Sequence, residues 1–547
     1  MRIFIKEDLD PLPPSFHFDK FFTFCYESAD FYPHDFITFE EEKGIYDDTY
    51  KQLMTYLGHD AKGLFLYQGV DLLWCFKRDL FVYVYHAALR HELIHRFRRH
   101  YKEAKLFAVK KKDRLFPYLY QHAPAYTDIC FLEAPLKIIE TPRVIDSQVV
   151  DSRVVGIKIK NLIQTITPRA NGNIRDSEIV FFSDYVKVKH PLQKRSLFYS
   201  SEISPSLFLK SLIKGFSNYQ GCFNTANKFS YELKKDIFLT KLREFSNLQG
   251  NILLSQKIAQ LFHSELSKLL WAIDEMHALF SAAPKLQKAY LDEDMSTIHN
   301  AFSQVARLYK VESWVQSHGA LGHKIGFLPL TSDYIAVWGK AQKDKLISWG
   351  CDPANIVITG CQRYEAYKNL DRDKLRKKIR KDLSLKKGTY ILFAFMPVKA
   401  RRNLFEHQFQ SIIFNALEVI NDFPEQHFII KVHMGDDNVS RFRSWVKCHR
   451  MGHRVSVIEK YDSLYLARGA EVIVTYNTTF AVDGLAMRRP VICLSEPTTT
   501  IIEEFRSYEA FTYVDNRESL KAAIETLLTA PPLISATVFQ DCLAETV

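Results

Sequence analysis

Residues 288–319 read KAYLDEDMSTIHNAFSQVARLYKVESWVQSHG. KAYLDED has the short apolar run of a strand, MSTIHNAFSQVARLY places apolar side chains at three- and four-residue spacing, and ESWVQS returns to strand-like alternation before stopping at His318-Gly319. Strand, helix, strand at this spacing is a crossover unit: the two strands lie parallel and the helix covers the sheet between them.

The alternation continues toward the C-terminus. SDYIAVWG (332–339) reads as a strand, KAQKDKLISWG (340–350) as a helix, NIVITG (355–360) as a strand and RDKLRKKIRKDL (372–383) as a basic helix. TYILFAF (389–395), HFIIKVH (427–433), SVIEKY (456–461), EVIVTYN (471–477) and PVICLS (490–495) follow as strands, with helical runs at 409–422, 463–469 and 478–487. This predicts an α/β protein whose C-terminal half is Rossmann-like, with helices on both faces of a parallel sheet. A helix over 517–528 closes that half, and the tail beyond Pro531-Pro532 is expected to be loose. Upstream the pattern differs. From Asn227 to about Leu279, amphipathic runs such as LLSQKIAQLFHSELSKLLWAI (253–273) predict a helical section, and aromatic-rich runs at 63–68, 179–182 and 197–199 read as strands. The expected division is an N-terminal α/β domain over 1–322, a Rossmann-like domain over 323–530 and a tail over 531–547.

With 547 residues, 47% of them hydrophobic and 25% charged, the chain has the proportions of a globular protein with more than one core, which excludes bulk disorder and collagen-like repeats. Its nine cysteines are odd in number, scattered and without a C-x-x-C pair, so buried thiols are expected rather than disulfides or a zinc ribbon. The start, MRIFIKEDLD, lacks the succession of a signal peptide, and no stretch approaches about 18 uninterrupted apolar residues. The expectation is a cytoplasmic protein, peripheral at most at the inner face of the plasma membrane. The net charge of +10 is unevenly placed: residues 90–114 hold ten Lys or Arg against three acids, and residues 372–387 hold nine against two. Such patches suit an anionic membrane surface or an anionic acceptor, or are solvated helix faces. Nucleic acid is not expected as a partner, because no binding motif for it accompanies them.

Ligands of parallel sheets bind at the carboxyl ends of the strands, which directs attention to the turns there. One is Gln316-Ser317-His318-Gly319, where Gly319 permits close approach of the backbone; a second is Thr359-Gly360-Cys361-Gln362-Arg363. The third, Lys431-Val432-His433, sets a cation and an imidazole two residues apart on a strand end. The fourth is Asn477-Thr478-Thr479, whose side chains and following helix amides suit a phosphate, with Asp483 one turn further on for ribose hydroxyls.

Four runs in this order carry a resemblance: ARLYKVESWVQSHGALGH (306–323), SDYIAVWGKAQKDKLISWGCDPANIVITGCQRYEAY (332–367), FIIKVHMGDD (428–437) and AEVIVTYNTTFAVDGLAMRRPVICL (470–494). Over about residues 286–525 the chain resembles bacterial surface-polysaccharide glycosyltransferases of the GT-B fold. These include the capsule and lipopolysaccharide enzymes for Kdo or sialic acids, and the related CDP-glycerol glycerophosphotransferases. The resemblance implies two Rossmann-like domains facing a cleft, with a helical section before the second. It also implies a CMP-, CDP- or UDP-linked sugar donor, a surface-polysaccharide or lipid-linked anionic acceptor, and an inverting-type transfer that needs no metal or other cofactor. In this reading His318 is catalytic, and Gly319, Gly360, Lys431, His433, Asn477, Thr478, Thr479 and Asp483 bind the donor. The N-terminal half would bind the acceptor. The chain departs from the family pattern where Ser317 splits Gln-His-Gly, Met434 replaces the proline of Lys-x-His-Pro, and Thr478-Thr479 with Asp483 stand for a serine-containing pair followed by glutamate.

Other readings stay open. The sequence admits a glycerophosphotransferase of the CDP-glycerol type, or a GT-B module that binds nucleotide or glycan without turnover. His91-Glu92-Leu93-Ile94-His95 also matches the H-E-x-x-H pattern of zinc hydrolases. Against that stand Arg90, Arg96, Arg98 and Arg99 on the same helix, which oppose a divalent cation, and the lack of a downstream third ligand at the usual spacing, although Glu133 could supply one.

Overall fold

The computed structural model describes residues 1–6, 17–23, 29–60, 62–110, 128–133, 170–171, 174–182, 195–200, 217–220, 228–249, 252–317, 319–385, 388–396, 406–433, 439–495, 503–530 and 535–545. β1 (Arg2–Lys6) and β2 (Lys20–Thr23) precede a small hairpin, β3 (Leu66–Tyr67) with β4 (Val70–Asp71), and the helix Lys77–His100. β5 (Lys105–Lys110) and β6 (Ile129–Glu133) then complete a four-stranded parallel sheet of order β2-β1-β5-β6.

The first large sheet takes β7 (Ala170–Asn171), β8 (Ile179–Phe182), β9 (Ser196–Ser200), β10 (Ser217–Gln220), β11 (Lys288–Leu291), β12 (Glu312–Gln316), β13 (Tyr334–Val337) and β14 (Ile356–Ile358). Its order is β14-β13-β12-β11-β8-β9-β10-β7, and only β7 runs antiparallel to its neighbour. Numbered from β8, the parallel strands follow the doubly wound order 3-2-1-4-5-6 with one further strand. The second large sheet is wholly parallel and has the same order without addition: β15 (Ile391–Phe395), β16 (Phe428–Lys431), β17 (Val455–Ile458), β18 (Ile473–Tyr476), β19 (Val491–Leu494) and β20 (Thr512–Val514), arranged β17-β16-β15-β18-β19-β20. The protein is therefore α/β, with two Rossmann-like parallel sheets.

Local sequence explains the elements. The helix Thr297–Leu308 buries Ala301, Phe302, Val305 and Ala306 at helical spacing between β11 and β12. The 31-residue helix Ile252–Ala282 turns Ile258, Leu261, Phe262, Leu269, Ile273, Met276 and Phe280 into one core with Val180, Phe182 and Leu197 of β8 and β9. Each such buried side chain contributes about 1.5–3 kcal/mol. The central strands β15, β18 and β19 of the second sheet are buried on both faces, which is why ILFAF and IVTY carry continuous apolar runs rather than alternation.

Two expectations are corrected. The division at 322/323 cuts across a sheet, since β13 pairs with β12 and β14 with β13, and the second sheet begins only at β15. Strand–helix alternation reads the same on either side of such a border, and only pairing assigns a strand to a sheet. Over its described residues, 535–545, the tail is not loose: the helix Ala536–Cys542 returns from the second sheet to pack on the helix Lys340–Ser348, with Cys542 and Leu543 buried and the Ala544 amide on the Trp338 carbonyl at 2.8 Å. A third feature was not foreseen. One apolar cluster runs from Ile3, Leu93 and Phe97 to Phe393, Ile430 and Tyr476, joining the small sheet's layer to the second large sheet.

Candidate functional site

In a doubly wound sheet the ligand crevice opens at the carboxyl edge, where the strand order reverses. In the second sheet that point lies between β15 and β18. β18 ends at Tyr476, and the buried Asn477 takes the left-handed conformation (φ 47°), which asparagine tolerates better than most residues. This residue turns the chain out of the strand and leaves Thr478 and Thr479 half-buried before the seven-residue helix Phe480–Ala486. The Phe480 amide is directed at the Thr478 hydroxyl at 3.4 Å, so the start of this helix offers a phosphate less than its sequence suggested.

The carboxyl end of β12 meets this turn. Ala320 donates its backbone N–H to Thr479 Oγ1 at 3.1 Å, and the next amide, Leu321, donates to Glu504 Oε1 at 2.7 Å. A Cβ on Gly319 would lie 3.0 Å from Thr479 Oγ1. The missing side chain of Gly319 thus admits the threonine of the other sheet. The turn is also held from its own side: Ser317 Oγ and Gln342 Nε2 both donate to the Gly319 carbonyl at 2.9 Å, and Trp338 Nε1 donates to the Ser317 carbonyl at 3.0 Å. His318 lies outside the described residues, as does Met434.

The other expected donor residues have partners of their own. Lys431 donates to the carbonyls of Val432 (2.8 Å) and Glu459 (3.0 Å), tying β16 to β17, and burial lowers its pKa. His433 is exposed. Asp483 is buried and accepts from Arg363 and, at 2.8 Å, from the phenol of the fully buried Tyr364, so its carboxylate anchors the turn after β14. Gly360 is covered: at φ 70° its Cβ would lie 2.5 Å from the Ala544 carbonyl oxygen, and the residue makes room for the returning C-terminal segment. The structure brings Gly319, Thr478 and Thr479 together, whereas Gly360 and Asp483 are taken up by internal contacts.

Two acidic features were not singled out from the sequence. Asp292, Glu293 and Asp294 follow β11, at the switch point of the first sheet between β8 and β11. Asp294 is buried and accepts from the amides of Thr331 (2.8 Å) and Ser332 (3.1 Å), whereas Asp292 and Glu293 are half-buried. Acids directly after a strand were the available signal, hidden because KAYLDED was read whole as a strand. The second feature is Glu504, only 6% exposed, whose carboxyl is pushed up to about 7 by burial. No local pattern marked it, since its partner is 183 residues away.

His91 and His95 are exposed on the helix Lys77–His100, and Glu92 accepts from Arg96 Nε at 2.8 Å. Among the described residues no three His, Cys, Asp or Glu side chains are grouped to hold a metal ion, and no helix is long and apolar enough to cross a membrane. The seven described cysteines are free thiols. Part of the second basic patch is neutralised internally, because Arg372 and Arg376 pair with Glu471.

No protein-family model matches the chain, and no curated protein matches its sequence. Among solved structures it is distantly similar to a glycosyltransferase from Rickettsia africae ESF-5, at 9% identity and a TM-score of 0.38, over 67% of this chain and 91% of that one. HepE of Anabaena in complex with UDP-glucose gives 10% identity and 0.41 over 66% and 93%. The UDP-GlcNAc 2-epimerase of Methanocaldococcus jannaschii gives 15% and 0.42 over 66% and 94%.

Proposed function

We propose that this chain is a GT-B glycosyltransferase that moves a sugar from a nucleotide-activated donor to a surface-polysaccharide or lipid-linked acceptor. The observation that carries the reading is the junction of two doubly wound sheets at their carboxyl edges, where Thr479 of one meets the 317–321 turn of the other. A donor held at one edge and an acceptor at the other would meet there. Asn477, Thr478, Thr479 and His433 contact the donor phosphates. Lys431, with two of its three ammonium protons committed to carbonyls, keeps the third for them.

In the transfer, a base takes the proton of the acceptor hydroxyl while that oxygen attacks the anomeric carbon and the bond from this carbon to the phosphate oxygen breaks. His318 is the first candidate for the base, by its place in the turn after β12; Asp292 and Glu293, at the first sheet's switch point, are the acids that could replace it. The threonine hydroxyls and Lys431 stabilise the charge that develops on the departing nucleotide.

Thermal-shift measurements with CMP, CDP, UDP and GDP test this, because a ligand that binds only the folded state raises the melting temperature by mass action. At least one nucleotide should do so, and the Thr478→Ala/Thr479→Ala variant should bind it about 1–3 kcal/mol more weakly. No shift with any nucleotide, or unchanged affinity in the double variant, would overturn the reading.

A further inference from the structure

Glu504 lies in the short 3-10 helix Glu503–Tyr508, which packs on the helices Lys340–Ser348 and Ala536–Cys542. One carboxyl oxygen accepts the Leu321 amide of the first sheet's turn at 2.7 Å. The other, Oε2, is buried and has no hydrogen-bond partner among the described residues. The neighbouring Ala320 amide is taken by Thr479, so two consecutive amides of one turn are held by two side chains of the opposite half.

We propose that Glu504 is a positioning residue that holds the junction of the two sheets in its neutral form: as a buried carboxylic acid it keeps residues 319–321 against the second sheet, and on ionising it lets them go. A neutral carboxyl can stay buried with one oxygen bonded, whereas a carboxylate there needs water or a cation for the second oxygen. Through these residues Glu504 sets where Gly319 and Ala320 stand relative to Thr479, which concerns the geometry of the junction whether or not a sugar is transferred.

The sign follows from burial. The closed state raises the acid's pKa from 4.5 to about 7, so closure is strongest below about 4.5, weakens as pH rises toward 7 and levels off above it. The charged groups around it come from every packed element. Lys345 favours ionisation and Glu503 opposes it. Arg506 is paired with Glu503, while Lys340 and Asp344 are engaged with Tyr508. Cys542 faces it from the returning helix, with Asp541 beside that thiol, and Tyr513 from β20. Burial pushes the Cys542 thiol up to about 12, raises the Tyr513 phenol and lowers the His323 imidazole. The Glu504→Gln variant isolates the contribution of Glu504 from that of any other titrating group.

Hydrogen exchange of peptides spanning residues 316–328, corrected for the intrinsic pH dependence of exchange, tests the proposal in the full-length protein. Protection of the wild type should fall between pH 5 and pH 8, by at least about tenfold and at most about 70-fold. Glu504→Gln keeps a neutral acceptor and should hold protection level across that range, whereas Glu504→Ala should lose it throughout. A wild type with equal protection at both pH values, or a glutamine variant that keeps the pH dependence, overturns the proposal. Should the alanine variant fail to fold, the comparison of wild type with Glu504→Gln decides alone. A pH-dependent clasp in a protein that binds no nucleotide would leave this inference standing and remove the transferase reading.

Discussion

The turn after β12 and the turn after β16 both bring a parallel strand to a histidine, His318 in one and His433 in the other, yet their backbones are used in opposite ways. After β12 the chain gives two amides to side chains of the other half, Thr479 and Glu504, and buries Ser317. After β16 the chain satisfies itself: Lys431 folds back onto carbonyls at the ends of its own strand and of β17, and His433 stays in solvent. The first turn is a joint between two bodies, and the second is a rim. What separates them among the described residues is the partner: side chains of the other half for the first, carbonyls at neighbouring strand ends for the second.

The contrast should be largest in catalysis. If the joint carries the base, His318→Ala lowers turnover by about two to four orders of magnitude with nucleotide affinity nearly kept, whereas His433→Ala chiefly weakens donor binding, by about 1 kcal/mol. Equal effects on turnover from the two histidines would erase the distinction. A smaller effect is expected in stability. Thr479→Ala leaves the Ala320 amide without its acceptor in a part-buried joint and should cost about 1–3 kcal/mol in denaturant unfolding, against about 0.5–1.5 kcal/mol for Lys431→Met at the rim. The reverse ranking would mean that the joint contributes little to the folded state. The smallest effect belongs to an exposed pair outside both turns: His91→Ala and His95→Ala should each change stability by no more than about 0.5 kcal/mol. Elemental analysis should find no zinc bound to them, and near one equivalent, lost on His95→Ala, would revive the hydrolase.

Legibility in the sequence followed the range of the interaction. The units from KAYLDED to PVICLS appear as strands and helices at nearly their expected places, because period and length are local properties. The helical section is likewise present as Lys228–Gln249 and Ile252–Ala282. The helix Val439–Cys448 and β20 escaped notice; the strand has only three residues and the helix opens on a polar run. The turn that carries Thr478 and Thr479 was legible because a strand-to-helix turn with hydroxyls is a local pattern. Glu504 was not, since a glutamate in a polar stretch carries no sign that a backbone amide 183 residues earlier will cover it.

The alternation of apolar periods therefore sufficed for the α/β class, for the parallel strands and for the turns at their carboxyl ends, since backbone geometry ties each of these to neighbours in the chain. The border between the two sheets was settled by pairing, when β13 and β14 joined β12. The surroundings of Gly360 and Asp483 were decided by packing, when the C-terminal segment covered the glycine and Arg363 and Tyr364 reached the carboxylate. Glycine beside a strand end has the same local freedom whether a ligand or a protein segment fills the space. Which of them does so depends on parts of the chain far away in sequence, and only packing brings those parts to the site.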